Sequence, residues 1–248
     1  MTDEKMDRIP TGIPGLDDML EGGLQKGGIY LLAGDTGAGK TIFSSQYLYV
    51  GAVKYEQPGV MISLEERSED IRRNLTKFGW NFEKLEEYGK IVVADIPRFR
   101  KLVAAKKETG EGGLMTFDQL QKFIKMCVDA TKAQRLVVDS LTAIGILYES
   151  KSQFRQDLFR FFEFIRDLNC TTFVTTELIE ASTGISRFDC EEFLAQGVVV
   201  IRYQKAAGDY RRTVTIRKMR GTNHGSKVSP LDITADGMIV HPEEKVYE

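Results

Sequence analysis

The segment Gly34-Asp35-Thr36-Gly37-Ala38-Gly39-Lys40-Thr41 carries the densest chemical signal in the chain. A glycine, four residues, Gly-Lys and a hydroxyl residue are what a phosphate cradle needs. Glycines let the backbone curl so that N–H groups point inward at phosphate oxygens. A helix starting there adds its positive end. Lys40 can reach the β- and γ-phosphates of a nucleoside triphosphate, and the Thr41 hydroxyl can ligate Mg²⁺. ATP or ADP with Mg²⁺ is therefore expected along Gly34 to Thr41.

Other chemistry must converge on that loop. Arg135-Leu-Val-Val-Asp139-Ser140 offers an apolar strand ending in an acid. Asp139 is expected to join Thr41 in holding the metal, usually through water. Glu65-Glu66 follow the strand after the phosphate-loop helix. Glu65 is expected to orient or deprotonate the attacking water, with Glu66 in support. Thr175-Thr176-Glu177 end a later strand, where a polar sensor, Thr176 or Glu177, could meet the γ-phosphate. Near the tail, Arg217, Lys218, Arg220 and His224 crowd together. Such cations can stabilise a phosphoryl-transfer transition state, or simply guard an exposed strand edge.

The elements that must position these groups alternate. Strands are expected at Ile29–Ala33, Val60–Leu64, Ile91–Ala94, Leu136–Val138 and Thr171–Thr175. Between them, apolar residues at helical spacing mark Ile42–Tyr55, Thr116–Thr131 and Ser152–Leu168. A further helix runs to Phe78 with Ser68 as its N-cap. Then the pattern changes. Gly197–Tyr203, Thr213–Met219, Ser229–Thr234 and Met238–Val240 read as strands, with a hairpin turn at Gly208-Asp209. The fold class is α/β, with a mostly parallel central sheet flanked by helices and a C-terminal antiparallel β extension. No linker divides residues 1–248, so one domain is expected. Pro97–Gly113 reads as a basic, solvated loop.

Composition excludes several classes. The 248 residues hold 34 Lys+Arg against 36 Asp+Glu, a net charge of -2 that does not suit a polybasic nucleic-acid coat. The apolar runs are too short to span a bilayer, so no membrane role is expected. The charged N-terminus lacks the apolar stretch of a signal peptide. Cys127, Cys170 and Cys190 have no metal-ligand spacing and read as reduced thiols of a cytoplasmic protein.

These residues resemble the RecA-superfamily P-loop ATPases of the KaiC/RadA type, in particular single-domain KaiC-like members. The resemblance extends beyond the phosphate loop. Ile9-Pro-Thr-Gly-Ile-Pro-Gly-Leu-Asp17, Gly22-Gly23-Leu24 and Gly27 are similar to the segment before that loop. Ser63-Leu64-Glu65-Glu66 matches the paired catalytic glutamates, with Asp70-Ile71 and Phe78-Gly79-Trp80 at the family spacing. Lys218-Met219-Arg220-Gly221-Thr222-Asn223-His224 matches a segment that touches nucleotide at the subunit boundary. The resemblance implies a homo-oligomeric ring, commonly a hexamer, with ATP between subunits. Lys218, Met219, Arg220, Thr222 and His224 would then serve a neighbouring subunit's nucleotide.

The chain also departs from that family. Circadian-clock members carry two such domains, whereas this chain has room for one. Their phosphorylated Ser-Thr pair falls here on Glu192-Phe193. The stretch matching a recombinase pore loop, Ile179–Phe193, holds Glu180, Asp189, Glu191 and Glu192 against Arg187 alone. An acidic loop repels phosphate, so nucleic acid is possible but not favoured. The expected function is a Mg²⁺-dependent ring ATPase with a regulatory role and no identifiable protein partner. The alternatives are a recombinase-like accessory protein that binds single-stranded DNA, or a nucleotide-gated scaffold with very slow hydrolysis.

Overall fold

The computed structural model describes residues 7–95, 117–145, 148, 150–178, 188, 190–206 and 209–244. A small two-stranded ladder, β1 (Arg8–Ile9) with β2 (Leu24–Gln25), precedes the main sheet. Strands β3 (Ile29–Gly34), β4 (Gly59–Ser63), β5 (Ile91–Asp95), β6 (Arg135–Asp139), β7 (Thr171–Glu177) and β8 (Gly197–Ala206) run parallel. Then β9 (Asp209–Met219), β10 (Ser229–Thr234) and β11 (Gly237–Val240) pair antiparallel. The order across the sheet is β11-β10-β9-β8-β3-β7-β6-β4-β5.

The parallel strands read as continuous apolar runs because helices cover both faces. Alternation along β3 sends Tyr30 and Leu32 to one core and Ile29, Leu31 and Ala33 to the other. On the first face, α1 (Lys40–Lys54) contributes Phe43, Tyr47 and Leu48. Phe173 of β7 packs there against the Tyr30, Phe43 and Tyr47 rings at 5.0–5.9 Å. Also on that side lie α2 (Ser68–Leu75), with a 3₁₀ turn at Thr76–Phe78, and α3 (Phe82–Glu87). On the second face, α4 (Phe117–Thr131), α5 (Leu141–Gly145) and α6 (Lys151–Asp167) bury Leu120, Ile124, Leu158, Phe161 and Ile165. A short α7 (Glu191–Leu194) precedes β8. Among the described residues no helix is long and apolar enough to cross a membrane.

One helix start differs from expectation. Ser68 is the first residue of α2 rather than its cap. Its N–H donates to Asp95 Oδ2 at 2.9 Å, at the end of β5. A carboxylate from the neighbouring strand outcompetes a local hydroxyl as acceptor. The expected hairpin forms, pairing Ala206 with Asp209. Gly208 and the basic loop Pro97–Gly113 lie outside the described residues.

A buried cation fixes α1 against β6. Arg135 is 0% exposed; its Nη1 donates to Tyr47 O at 2.7 Å and its Nε to Gln57 Oε1 at 2.8 Å. Its guanidinium lies 4.5 Å from the Tyr47 ring centre. This contact sets the helix that starts at Lys40 relative to the strand that ends at Asp139. Space for it comes from Gly51, where a Cβ would lie 2.4 Å from Arg135 Cδ and Nε. Helix propensity alone makes Gly51→Ala stabilising by about 1 kcal/mol. Displacing a buried guanidinium costs about 1–3 kcal/mol. We expect Gly51→Ala to lower Tm by about 2–4 °C, measured by calorimetry. A rise in Tm would show that Arg135 does not need that space.

Candidate functional site

The phosphate loop starts where β3 ends. Gly34 sits between Glu177 of β7 and Ile201 of β8. A Cβ on Gly34 would lie 2.8 Å from Ile201 O, so only glycine lets these strands approach. The loop turns through Gly37 (φ 75°) and Gly39 (φ 103°), left-handed conformations that favour glycine. The Phe43 N–H then donates to Gly39 O at 2.9 Å as α1 begins. Asp35 ties the loop to β8. Its carboxylate accepts from Tyr203 N at 2.8 Å and from Arg202 Nη1 at 3.2 Å. On the other side, Arg212 Nη2 donates to Gly37 O at 3.2 Å, with the guanidinium 4.3 Å from the Tyr203 ring centre.

Lys40 is buried, and its ammonium donates to Gly34 O and Asp35 O at 3.0 Å each. Burial lowers its pKa, while the charges of Glu177, Asp139, Glu65 and Asp35 act in the opposite sense. The Thr41 hydroxyl lies 2.9 Å from Asp139 Oδ2 and 3.3 Å from Glu66 Oε1. Asp139 Oδ1 accepts from the Thr175 hydroxyl of β7. Glu65 accepts from the Ser140 hydroxyl. Ser63 closes the turn, accepting from Glu66 N at 3.1 Å and donating to Glu66 O at 2.7 Å. The two adjacent glutamates thus face different partners.

Desolvation in the cleft raises the pKa of Glu65; the Ser140 hydrogen bond opposes this and the Asp139 charge adds to it. Glu66 is raised too, by desolvation and then by the Asp139 charge, against the Thr41 hydroxyl. Among the described residues no three Asp, Glu, His or Cys close around a metal on their own. The Thr41 hydroxyl beside the Asp139 carboxylate is a partial set of hard oxygen donors. It fits Mg²⁺, which takes one or two protein oxygens together with phosphate and water.

The cleft holds about 500 Å³. Its polar end is walled by Thr36, Lys40, Thr41, Glu65, Asp139 and Glu177, and it runs on past Ile42, Asn74, Lys77 and Phe78. A phosphate-binding end joined to a half-apolar slot has the shape of a nucleotide site.

A family model described as "ATPase: KaiC" matches residues 9–245. The chain belongs to the KaiC ATPase family. It is 34% identical to a UPF0273 protein of Methanocaldococcus jannaschii, covering 96% of this chain and 98% of that one. It is 35% identical to the circadian clock oscillator protein KaiC of Synechococcus elongatus, over 95% of this chain and 44% of the relative. The chain spans less than half the length of the clock proteins it matches. The solved KaiC-like protein of Pyrococcus horikoshii is 38% identical, with a TM-score of 0.83, covering 96% of this chain and all of that one. Membership accounts for the RecA-type sheet and its antiparallel C-terminal strands.

Within this KaiC-family fold, Gly34 to Thr41, Glu65, Glu66, Asp139 and Glu177 come together. Thr176 does not reach the cleft. Strand alternation turns it away from Thr175 and Glu177, and its buried hydroxyl lies 3.5 Å from Glu191 Oε1. Nor does the tail segment reach it. Lys218 pairs with Val198 and Gly34 with Ile201, so Lys218 lies about 10 Å back along the sheet from the loop. Its ammonium donates to Glu192 O and Ala195 O at 2.7 Å. Met219 is buried, Thr222 Oγ1 accepts from Arg8, and His224 Nδ1 sits 3.0 Å from Gly225 O. Arg220 is exposed at the same edge. Thr175, at the expected sensor edge, meets Asp139, whereas Ser140 and Arg212 have site contacts that spacing did not reveal. Ser140 at least follows Asp139 directly. Arg212 depends on strand pairing alone and leaves no local signal.

The raised Glu65 pKa yields a stability prediction. Its folded value lies above the ordinary 4.5, so the ionised side chain destabilises the fold at neutral pH. That penalty disappears as pH falls through the folded pKa towards the unfolded one. Glu65→Gln carries no such penalty. We expect its Tm to exceed that of the parent at pH 7–8, with the gap closing towards pH 4.5. A gap that is absent at pH 7 or widens in acid would contradict the assigned desolvation.

Proposed function

We propose that this chain is a Mg²⁺-dependent ATPase whose residues 1–248 act as one unit and assemble as a homo-oligomeric ring, a hexamer in the family's manner.

 The convergence of Lys40, Thr41, Asp139 and Glu65 on one cleft supports this reading. Loop N–H groups and Lys40 would take the β- and γ-phosphate oxygens. Thr41 and Asp139 would hold Mg²⁺, which when bound offsets charge on those phosphates. Glu65, oriented by Ser140, would align water with the γ-phosphorus and accept its proton, and its raised pKa makes it a better base. Arg212 beside Gly37 adds a cation, and Glu177 a polar contact near Thr36. The nucleoside would lie along Ile42, Asn74, Lys77 and Phe78.

The tail segment is held away from its own cleft, which supports a role at a neighbouring copy's site. Lys218, Arg220, Thr222 and His224 would act there, making hydrolysis a property of the assembly and suiting a regulatory ring. Three free cysteines among the described residues suit a reducing cytoplasm.

We expect Lys40→Ala to lose ATP binding in a fluorescent-nucleotide titration. Glu65→Gln should keep binding and lose about 100-fold or more in phosphate release. Undiminished release by Glu65→Gln would remove that residue from the mechanism. Arg220→Ala should be slow alone. Mixed with Lys40→Ala, it should regain activity, because each variant supplies what the other lacks. No recovery on mixing would place Arg220 outside a shared site.

A further inference from the structure

The segment before the phosphate loop makes a set of contacts that the hydrolytic site itself does not use. Its centre is Arg8, whose side chain is 17% exposed. Arg8 Nη1 donates to Leu20 O at 3.3 Å, Gly23 O at 3.1 Å and Thr222 Oγ1 at 2.8 Å. Its Nη2 donates to Glu21 Oε2 at 2.8 Å and Gly221 O at 3.5 Å. One guanidinium therefore joins two segments more than 200 residues apart in sequence.

The local chain is shaped for this. Glu21, Gly22 and Gly23 have φ of 53°, 94° and 133°. A Cβ on Gly23 would lie 2.4 Å from Ile9 O, so this position needs glycine. The turn brings the carbonyls of Leu20 and Gly23 to one side of Arg8. Gln25 lies opposite Arg8 in the β1–β2 ladder, and its Nε2 donates to Arg220 O at 2.9 Å. Further along, Gly225 N donates to Met19 O at 3.0 Å. The Arg220–Gly225 turn is thus held at its start, middle and end by residues 8–25.

We infer that Arg8 is a positioning residue for the Arg220–His224 turn, acting through Thr222 on the nucleotide of a neighbouring copy. This rests on the reading that the turn works between subunits. An Arg has donors and no acceptor, so Thr222 can only accept from it. The Thr222 hydroxyl then keeps its own proton to donate to an oxygen outside the chain. Arg8 sets both the place of the turn and the direction of that hydroxyl. An ion pair to Glu21 alone would do neither.

The test is phosphate release by Arg8→Ala, Arg8→Lys and mixed assemblies, with fold and size checked by circular dichroism and light scattering. We expect Arg8→Ala to lose about tenfold in kcat, the scale of one charge-assisted hydrogen bond. Its binding of ATP to its own cleft should change little. Arg8→Lys keeps a donor to Thr222 and should recover part of the loss. Mixing Arg8→Ala with Lys40→Ala should raise release above the sum of the two alone. An Arg8→Ala subunit has an intact cleft, and its Lys40→Ala neighbour supplies an intact turn. A purely structural role would damage the variant's own cleft and leave mixing without effect. Full activity of Arg8→Ala, or no gain on mixing while Arg220→Ala with Lys40→Ala does recover, would overturn the inference. Failure of both mixtures would overturn the shared-site reading itself, and the inference with it.

Discussion

Parallel hydrogen bonding in step across β3, β7, β6 and β4 is the constraint on which the site depends. Gly34 pairs with Glu177, Val174 with Val138, and Asp139 with Ser63. The strands therefore end along one edge. That edge receives the phosphate loop, the Asp139 carboxylate and the turn bearing Glu65 and Glu66. Side-chain bonds then join the start of α1 to β6 and the ends of neighbouring strands to one another. Thr41 meets Asp139, Thr175 meets Asp139 and Ser140 meets Glu65. A one-residue slip of β6 would turn Asp139 to the other face and break these contacts.

The same edge concentrates charge. Glu65, Glu66, Asp139 and Glu177 share the cleft with the single buried ammonium of Lys40. Desolvation raises both Glu65 and Glu66, although each stays exposed at the mouth of the cleft. That arrangement suits a site for Mg²⁺ and a proton acceptor. Structural order comes from elsewhere, as in the Arg135 contact that braces α1 against β6.

The phosphate loop was legible because its chemistry depends on consecutive residues, and local spacing is what a sequence displays. Asp139 became legible only beside that loop, since an acid after an apolar strand is common on any sheet edge. The glutamate pair could be located and its roles assigned, Glu65 to the water and Glu66 in support, but not the partners of either. Ser140 and Thr41 decide which partner each has, and both come from other segments. Thr176 and Glu177 looked equivalent because strand parity relative to the cleft is set by packing. Ser68 read as a cap because its true acceptor, Asp95, is 27 residues away. Arg8 and Arg212 left no signal, since their partners lie across the whole chain.

On the proposed reading, ATP is hydrolysed at a site that assembly completes. The most direct measurement is light scattering of the purified protein with and without Mg²⁺ and ATP, with phosphate release followed on the same sample across a dilution series. Release per subunit is expected to fall as dilution dissociates the assembly. Release per subunit that stays constant into the monomer range would contradict it.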